Sequence, residues 1–160
     1  MDVSVFESES GQGRRDPDGV RVCRDVGMIL GEEEPLDHAI TVAAQMAARS
    51  GGRLCLMRYV DDTRLHQAHE LALKSGEARV QLANLRARCR ANDPHLVITD
   101  RLHIGTLESL LARLEPSIGS LVIGSLRDPT PSELLAMSAL PVTFVEPAGA
   151  TFTPEAADDL

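Results

Sequence analysis

Aromatic residues are almost missing from this chain: of 160 residues, none is Trp, one is Tyr and three are Phe. There is accordingly no platform on which unpaired bases could stack, and a formal charge of -8 opposes a phosphate backbone, so nucleic-acid binding is not expected. Cysteine is scarce too. Cys23, Cys55 and Cys89 are odd in number and lack the close pairing of zinc ribbons or redox motifs. Cys55 lies in an apolar run and Cys89 on a helical stripe, the pattern of small buried hydrophobes in a reducing, cytoplasmic compartment. No uninterrupted apolar run is long enough to cross a bilayer. Arg14 and Arg15 are followed by Asp16, Pro17, Asp18 and Gly19, where a twin-arginine signal would need an apolar stretch, so neither secretion nor membrane attachment is expected.

What is present is aliphatic. Hydrophobic residues make up 43% of the chain, and a chain of this length buries roughly two thirds of its unfolded surface without disulfides or metal. Residues 1–19 and 148–160 carry little apolar periodicity and read as disordered tails, the second acidic; residues 20–147 form the expected domain. Within it, short apolar runs alternate with helical patterns, the signature of βα units and a mainly parallel sheet.

The first strand falls within Val20 to Leu30, and Gly31 turns the chain. Leu36, Ile40, Ala43 and Ala47 then give one apolar helix face, stopped by Ser50, Gly51 and Gly52. Arg53 to Val60 is the second strand. A long helix from about Leu65 to Arg90 follows, with a stripe of Leu71, Ser75, Ala78, Leu82, Leu85 and Cys89 and with Arg, Glu, Gln and Lys on its other faces. His95 to Thr99 is read as the third strand, leading to a helix with Leu107, Leu110, Leu111 and Leu114 on its face. Ser120 to Gly124 and Pro141 to Glu146 are the fourth and fifth strands, joined by a helical segment of only about Ser132 to Ala139.

The order of these pieces resembles the universal stress protein family over roughly Val20 to Pro147. The resemblance is carried by Gly31 to Ile40, Arg53 to Asp61, His103 to Thr106 opening the third helix, Ser120 to Ser125, and Leu140 to Val145. It implies a five-stranded, mainly parallel α/β Rossmann-like fold with helices on both faces and a homodimer formed through the last strand, where Val142, Phe144 and Val145 would line the interface. One branch of that family binds ATP or AMP through a Gly, two residues, Gly, nine residues, Gly, then Ser or Thr motif. Gly124 fits the first position, but Arg127 stands at the second and Met137 precedes Ser138. Because Pro141 follows so soon, a deletion explains the departure better than substitution. Asp128, Pro129, Thr130 and Pro131 remove amide donors and add negative charge where phosphate would sit. At the end of strand one, Gly31 stands in place of the family's Asp, and Glu32, Glu33 and Glu34 follow; they read as a solvated helix entry, with a metal bridge as the alternative.

Other chemistry is thinly represented. His66, His69 and Glu70 could share a helix face as metal ligands but lack a further ligand of clear spacing, so no metal is expected. Asp61, Asp62 and Asp100 stand where ligands dock in open parallel sheets, although acids there also cap turns. Ser125 follows a strand without the Gly-x-Ser-x-Gly elbow of a nucleophile. The sequence therefore points to a non-catalytic stress-response regulatory or interaction domain, homodimeric and without a cofactor, its nucleotide site degenerate. Protein partners are compatible with this; weak ATP hydrolysis is the one turnover the resemblance leaves open. The alternative is a domain that takes ATP, AMP or another small anion at the strand ends, using Gly31, Tyr59, Gly124, Ser125 and Arg127.

Overall fold

The computed structural model describes residues 14–15, 21–33, 35, 37–123, 138–145 and 151–152. In chain order these form β1 (Arg14–Arg15), β2 (Arg21–Val22), β3 (Asp25–Leu30), α1 (Asp37–Ser50), β4 (Leu54–Val60), a 3-10 turn (Asp62–Arg64), α2 (Ala68–Asn92), β5 (Ile98–Ile104), α3 (Leu107–Ala112), β6 (Ile118–Ile123), β7 (Val142–Val145) and β8 (Thr151–Phe152). The main sheet runs in the order β5, β4, β3, β6, β7, β8. Its first five strands are parallel, and β8 is antiparallel to β7. β1 and β2 form a separate antiparallel pair.

The topology follows from the order in which apolar runs and helices alternate. From β3 the chain steps through α1 to β4 and through α2 to β5, then crosses back through α3 to β6 on the other side of β3. A right-handed crossover in the reverse direction requires its helix on the opposite face. That is observed: Ala39, Ile40, Ala43 and Ala47 of α1 and Leu82, Leu85 and Cys89 of α2 pack with Val26, Met28, Leu54 and Leu56 on one face. Leu107 and Leu110 of α3 pack with Ile29, Cys55, Met57, Leu121 and Ile123 on the other. β3 and β4 are thus covered on both sides, and each fully buried Leu or Met among them stabilises the fold by about 1.5–3 kcal/mol.

Several boundaries differ from those read in the sequence: β6 begins at Ile118 and not Ser120, α2 runs on to Asn92 and not Arg90, and the starts of β5 and α2 move further. β5 spans Ile98–Ile104 and not His95 to Thr99, because residues 94–96 turn behind α2 while Asp100, Arg101 and His103 continue along the sheet edge, where polar side chains are tolerated. α2 begins at Ala68, after Gln67, whose side chain and that of Glu70 form a reciprocal capping box. α1 stops where Gly51 takes a φ of 74°, the left-handed conformation that glycine adopts without a Cβ penalty. Thr151–Phe152 and Arg14–Arg15 fall in the segments assigned to tails. The short helix read between the last two strands lies outside the described residues.

At the amino-terminal ends of the strands one carboxylate holds three of them together. Asp25 is buried, and its Oδ1 accepts the Arg53 backbone N–H at 2.8 Å while Oδ2 accepts Arg53 Nε at 3.0 Å and Nη2 at 2.7 Å. The Asp25 N–H donates to the Ser117 carbonyl at 3.0 Å, and Arg53 Nη2 also reaches Ser117 Oγ at 3.2 Å and Glu115 Oε1 at 3.3 Å. Burial alone would raise the Asp25 carboxyl, but the Arg53 and Ser117 bonds outweigh it and hold the group below its usual value of 3.8. A depressed carboxylate contributes stability that is present above its unfolded value and lost as pH falls through the folded one. Asp25→Ala is predicted to cost about 2–3 kcal/mol in urea unfolding at pH 7, because it strips three hydrogen bonds from Arg53 and leaves that half-buried guanidinium only Ser117 and the exposed Glu115. The loss should shrink below pH 4; an equal loss at pH 7 and pH 3 would contradict this account.

Candidate functional site

The order of the strands reverses between β3 and β6, where Ile29 pairs with Ile123, and the crevice beyond the carboxyl ends of such a pair is where open α/β sheets take ligands. Gly31, buried, closes β3 on that side, and β4 and β5 end beside it at Val60 and Ile104. Glu32 and Glu33 follow Gly31, and Asp61 and Asp62 follow Val60, so the described rim is acidic.

Most of these acids hold the protein's own turns. Asp61 Oδ1 accepts from the Thr63 backbone N–H at 3.0 Å and from the Thr63 hydroxyl, while Oδ2 lies 3.6 Å from Arg64 Nε, so Asp61 caps the 3-10 turn. Glu32 is ion-paired with Lys74 of α2, whose bond to it lowers the Glu32 carboxyl from its usual value. Asp100, read from the sequence as lying at a ligand-docking strand end, is instead the third residue of β5, level with Leu56 and away from the rim, and it pairs with Arg86 at 3.3 Å. Glu70 accepts the backbone N–H groups of His66 at 2.9 Å and Gln67 at 3.0 Å, so it serves the start of α2, and His66 and His69 are exposed. Among the described residues no group of three or more His, Cys, Asp or Glu side chains is placed to hold a metal ion.

Two polar groups that the sequence reading passed over are buried here. Arg58 is 4% exposed on β4, facing α2, and no carboxylate lies within ion-pair distance of it among the described residues. Its Nε donates to Gln81 Oε1 at 2.7 Å, its Nη1 donates to the Tyr59 carbonyl, and Gln81 Nε2 reaches the Glu33 carbonyl at 3.5 Å. Burial pulls the Arg58 guanidinium below its usual range, partly offset by the charge of Glu32. The chain Arg58, Gln81, Glu33 thereby ties the turn after β3 to α2. The signal was visible in the sequence as one Arg inside the apolar run of the second strand and one Gln beside the helical stripe.

His103 on β5, also buried, has Nε2 2.7 Å from Ser109 Oγ at the start of α3. This resembles a base and nucleophile, but Ser109 Oγ also lies 2.8 Å from the Thr106 carbonyl, which can only accept; with the hydroxyl hydrogen directed there, Nε2 is the donor to Ser109 and the imidazole does not activate the hydroxyl. Gly105, with φ 150°, lets the chain turn between them; a Cβ there would stand 2.8 Å from His103 Nε2 and 2.7 Å from Ser109 Oγ. The His103 imidazole is held below its usual 6.5, first by burial and then by Arg101 and Arg113, with Asp62 opposing.

Of the residues named from the sequence as ligand contacts, Gly31 and Tyr59 lie at adjacent strand ends, Tyr59 half-buried against the α3 face. Gly124, Ser125 and Arg127 lie outside the described residues, as does the loop through Met137. Val142, Phe144 and Val145 are buried. The outer edge of β7 already carries β8 of the same chain, with Phe144 opposite Phe152 and Val145 opposite Thr151, so a second copy could pair there only by displacing it. Cys55 and Cys89 are buried free thiols, both raised by burial, and Cys23 is exposed.

No family model and no curated protein matches the chain. Among solved structures, a protein from the universal stress protein family from Burkholderia pseudomallei superimposes with a TM-score of 0.61 at 22% identity, covering 77% of this chain and 96% of that one. A universal stress protein in complex with cAMP superimposes with a TM-score of 0.52 at 20% identity, covering 75% of this chain and 95% of that one. The chain has the universal stress protein fold, an α/β Rossmann-like architecture, as the sequence resemblance implied. No helix among the described residues is long and apolar enough to cross a membrane.

Two predictions follow from the buried groups. Gln81→Leu removes the acceptor of a buried guanidinium and should cost about 2–3 kcal/mol, whereas Arg58→Met removes the charge itself and should cost less than about 1 kcal/mol in urea unfolding; the reverse order would contradict the assignment. Because His103 titrates lower in the folded protein, its contribution to stability is present above pH 6.5 and lost as pH falls below it. His103→Gln keeps a donor for Ser109 and should flatten the change in unfolding free energy between pH 7.5 and 5.5; an unchanged slope would rule this out.

Proposed function

We propose that this chain is a non-catalytic regulatory or interaction domain on the universal stress protein fold, working as a cytoplasmic homodimer in the response to stress and not binding ATP in the way usual for nucleotide-binding members. The observation that carries the reading is the engagement of the strand-end polar groups. At the strand ends Asp61 caps the 3-10 turn and Glu32 is paired with Lys74; beside them Glu70 caps the start of α2, and His103 is bonded to Ser109, whose hydroxyl also engages the Thr106 carbonyl. General acid–base and nucleophilic catalysis need such groups free to meet a substrate. The acidic rim and a formal charge of -8 further oppose a polyphosphate.

A second reading is an adenine-nucleotide or small-anion site built from Gly31, Tyr59, Gly124, Ser125 and Arg127. One observation favours it: a solved protein of this fold is in complex with cAMP. Calorimetric titration with ATP, AMP and cAMP, with and without magnesium, separates the two. The first reading predicts no saturable heat, meaning dissociation constants weaker than about 1 mM, or less than about 4 kcal/mol of binding. Submillimolar binding abolished by Arg127→Ala would establish the second.

A further inference from the structure

Among the described residues β5 is the outer strand of the main sheet on the side away from β8. Cys55, Met57 and Tyr59 of β4 stand level with Thr99, Arg101 and His103 of β5, so the six share one face. α3 covers that face with only six residues, and its Leu107 and Leu110 pack with Ile29, Cys55 and Met57, on β3 and β4. The β5 side is left open. Thr99 and Arg101 are half-buried there, and Arg113, which follows the last turn of α3, is exposed.

Three basic side chains gather at this edge. Arg101 Nη1 donates to the Arg113 carbonyl at 3.0 Å, which ties the strand residue to the end of α3, while its Nε and Nη2 have no partner among the described residues. The Arg113 guanidinium has none there either, and no carboxylate lies within ion-pair distance of either arginine among those residues. His103 is 8% exposed; its Nε2 is engaged with Ser109, and its Nδ1 has no partner among the described residues. The charges of Arg101 and Arg113 both act on His103, opposed by Asp62 of the 3-10 turn. Tyr59 is its neighbour on β4, and Glu108, beside Ser109, is exposed. Buried and half-buried polar groups of this kind call for an acceptor.

We propose that Arg101, Arg113 and His103 form a site for a tetrahedral oxyanion of the phosphate or sulfate class, on the β5 edge and separate from the crevice between β3 and β6. The charge count selects a dianion: two fixed guanidinium charges, joined by a third when His103 is protonated, leave a single carboxylate outnumbered. Guanidinium forks also match the oxygen spacing of phosphate and sulfate. With Nε2 donating to Ser109, a second proton goes to Nδ1, and the anion supplies the acceptor that Nδ1 then needs. Binding and protonation of His103 therefore favour each other, and affinity rises as pH falls below 6.5. A site this open to water holds its ion weakly, with a dissociation constant of about 1–10 mM.

The site stands independently of either reading of the crevice. Sodium sulfate keeps its charge between pH 5.5 and 7.5, so a titration of the full chain at constant ionic strength, followed by nuclear magnetic resonance of the arginine Nε–H groups and histidine rings, tests it. The expected result is saturation at Arg101, Arg113 and His103, with a dissociation constant about fivefold lower at pH 5.5 than at pH 7.5. Inorganic phosphate should move the same resonances at pH 7.5, and acetate should not. Arg113→Gln, which removes no bond within the described fold, should weaken binding at least about fivefold at an unchanged urea midpoint. Arg101→Gln should abolish binding, and His103→Gln should remove its pH dependence. Saturation that survives both arginine changes means an adventitious ion only and overturns the site. Equal affinity at the two pH values, a match by acetate, or no saturation up to about 50 mM sulfate at pH 5.5 overturns it as well.

Discussion

The paired register of the central strands depends on Asp25. Its carboxylate receives three bonds from Arg53 at the entry to β4, and its backbone N–H is fixed on Ser117 at the entry to β6, so the first residues of three neighbouring parallel strands are pinned at one point. Parallel strands reach each other only through long crossovers, and nothing local sets their register. A buried, directional clamp supplies what local sequence cannot. The register shift between Asp25 and Val26 against Ile118 and Ser120 sits right at this clamp, and from there onward the apolar residues of β6 alternate correctly between the two cores.

With one end of the sheet fixed in this way, the opposite end is where groups could be free for chemistry, and the protein has largely committed them elsewhere. Asp61 caps a turn, Glu70 caps a helix, and Arg58 is drawn under the turn after β3 by Gln81. Together with the proton arrangement at His103 and Ser109, this favours a scaffold whose surfaces matter more than its crevice.

Much of the fold was legible in the residues themselves. The apolar runs at Val26 to Leu30 and Leu54 to Val60, and the stripe through Ile40, Ala43 and Ala47, announced strands buried on two faces and a helix buried on one. The third strand is read too early because Leu96 and Val97 are as apolar as Leu102 and Ile104, and an edge strand accepts Asp100 and Arg101 without a hydrophobic signature. The site was less legible. Asp25 meets Arg53 across 28 positions and Arg58 meets Gln81 across 23, pairings that periodicity cannot reveal because they belong to the packing of whole elements.

The central claim is that this domain uses the fold for association and not for holding a nucleotide. Native mass spectrometry of the protein purified without denaturant, at about 100 micromolar, reads both properties in one spectrum. The account predicts a substantial species at twice the chain mass of 17.3 kDa with no added ligand mass. A spectrum containing only the single chain, each copy carrying the mass of an adenine nucleotide, would contradict it.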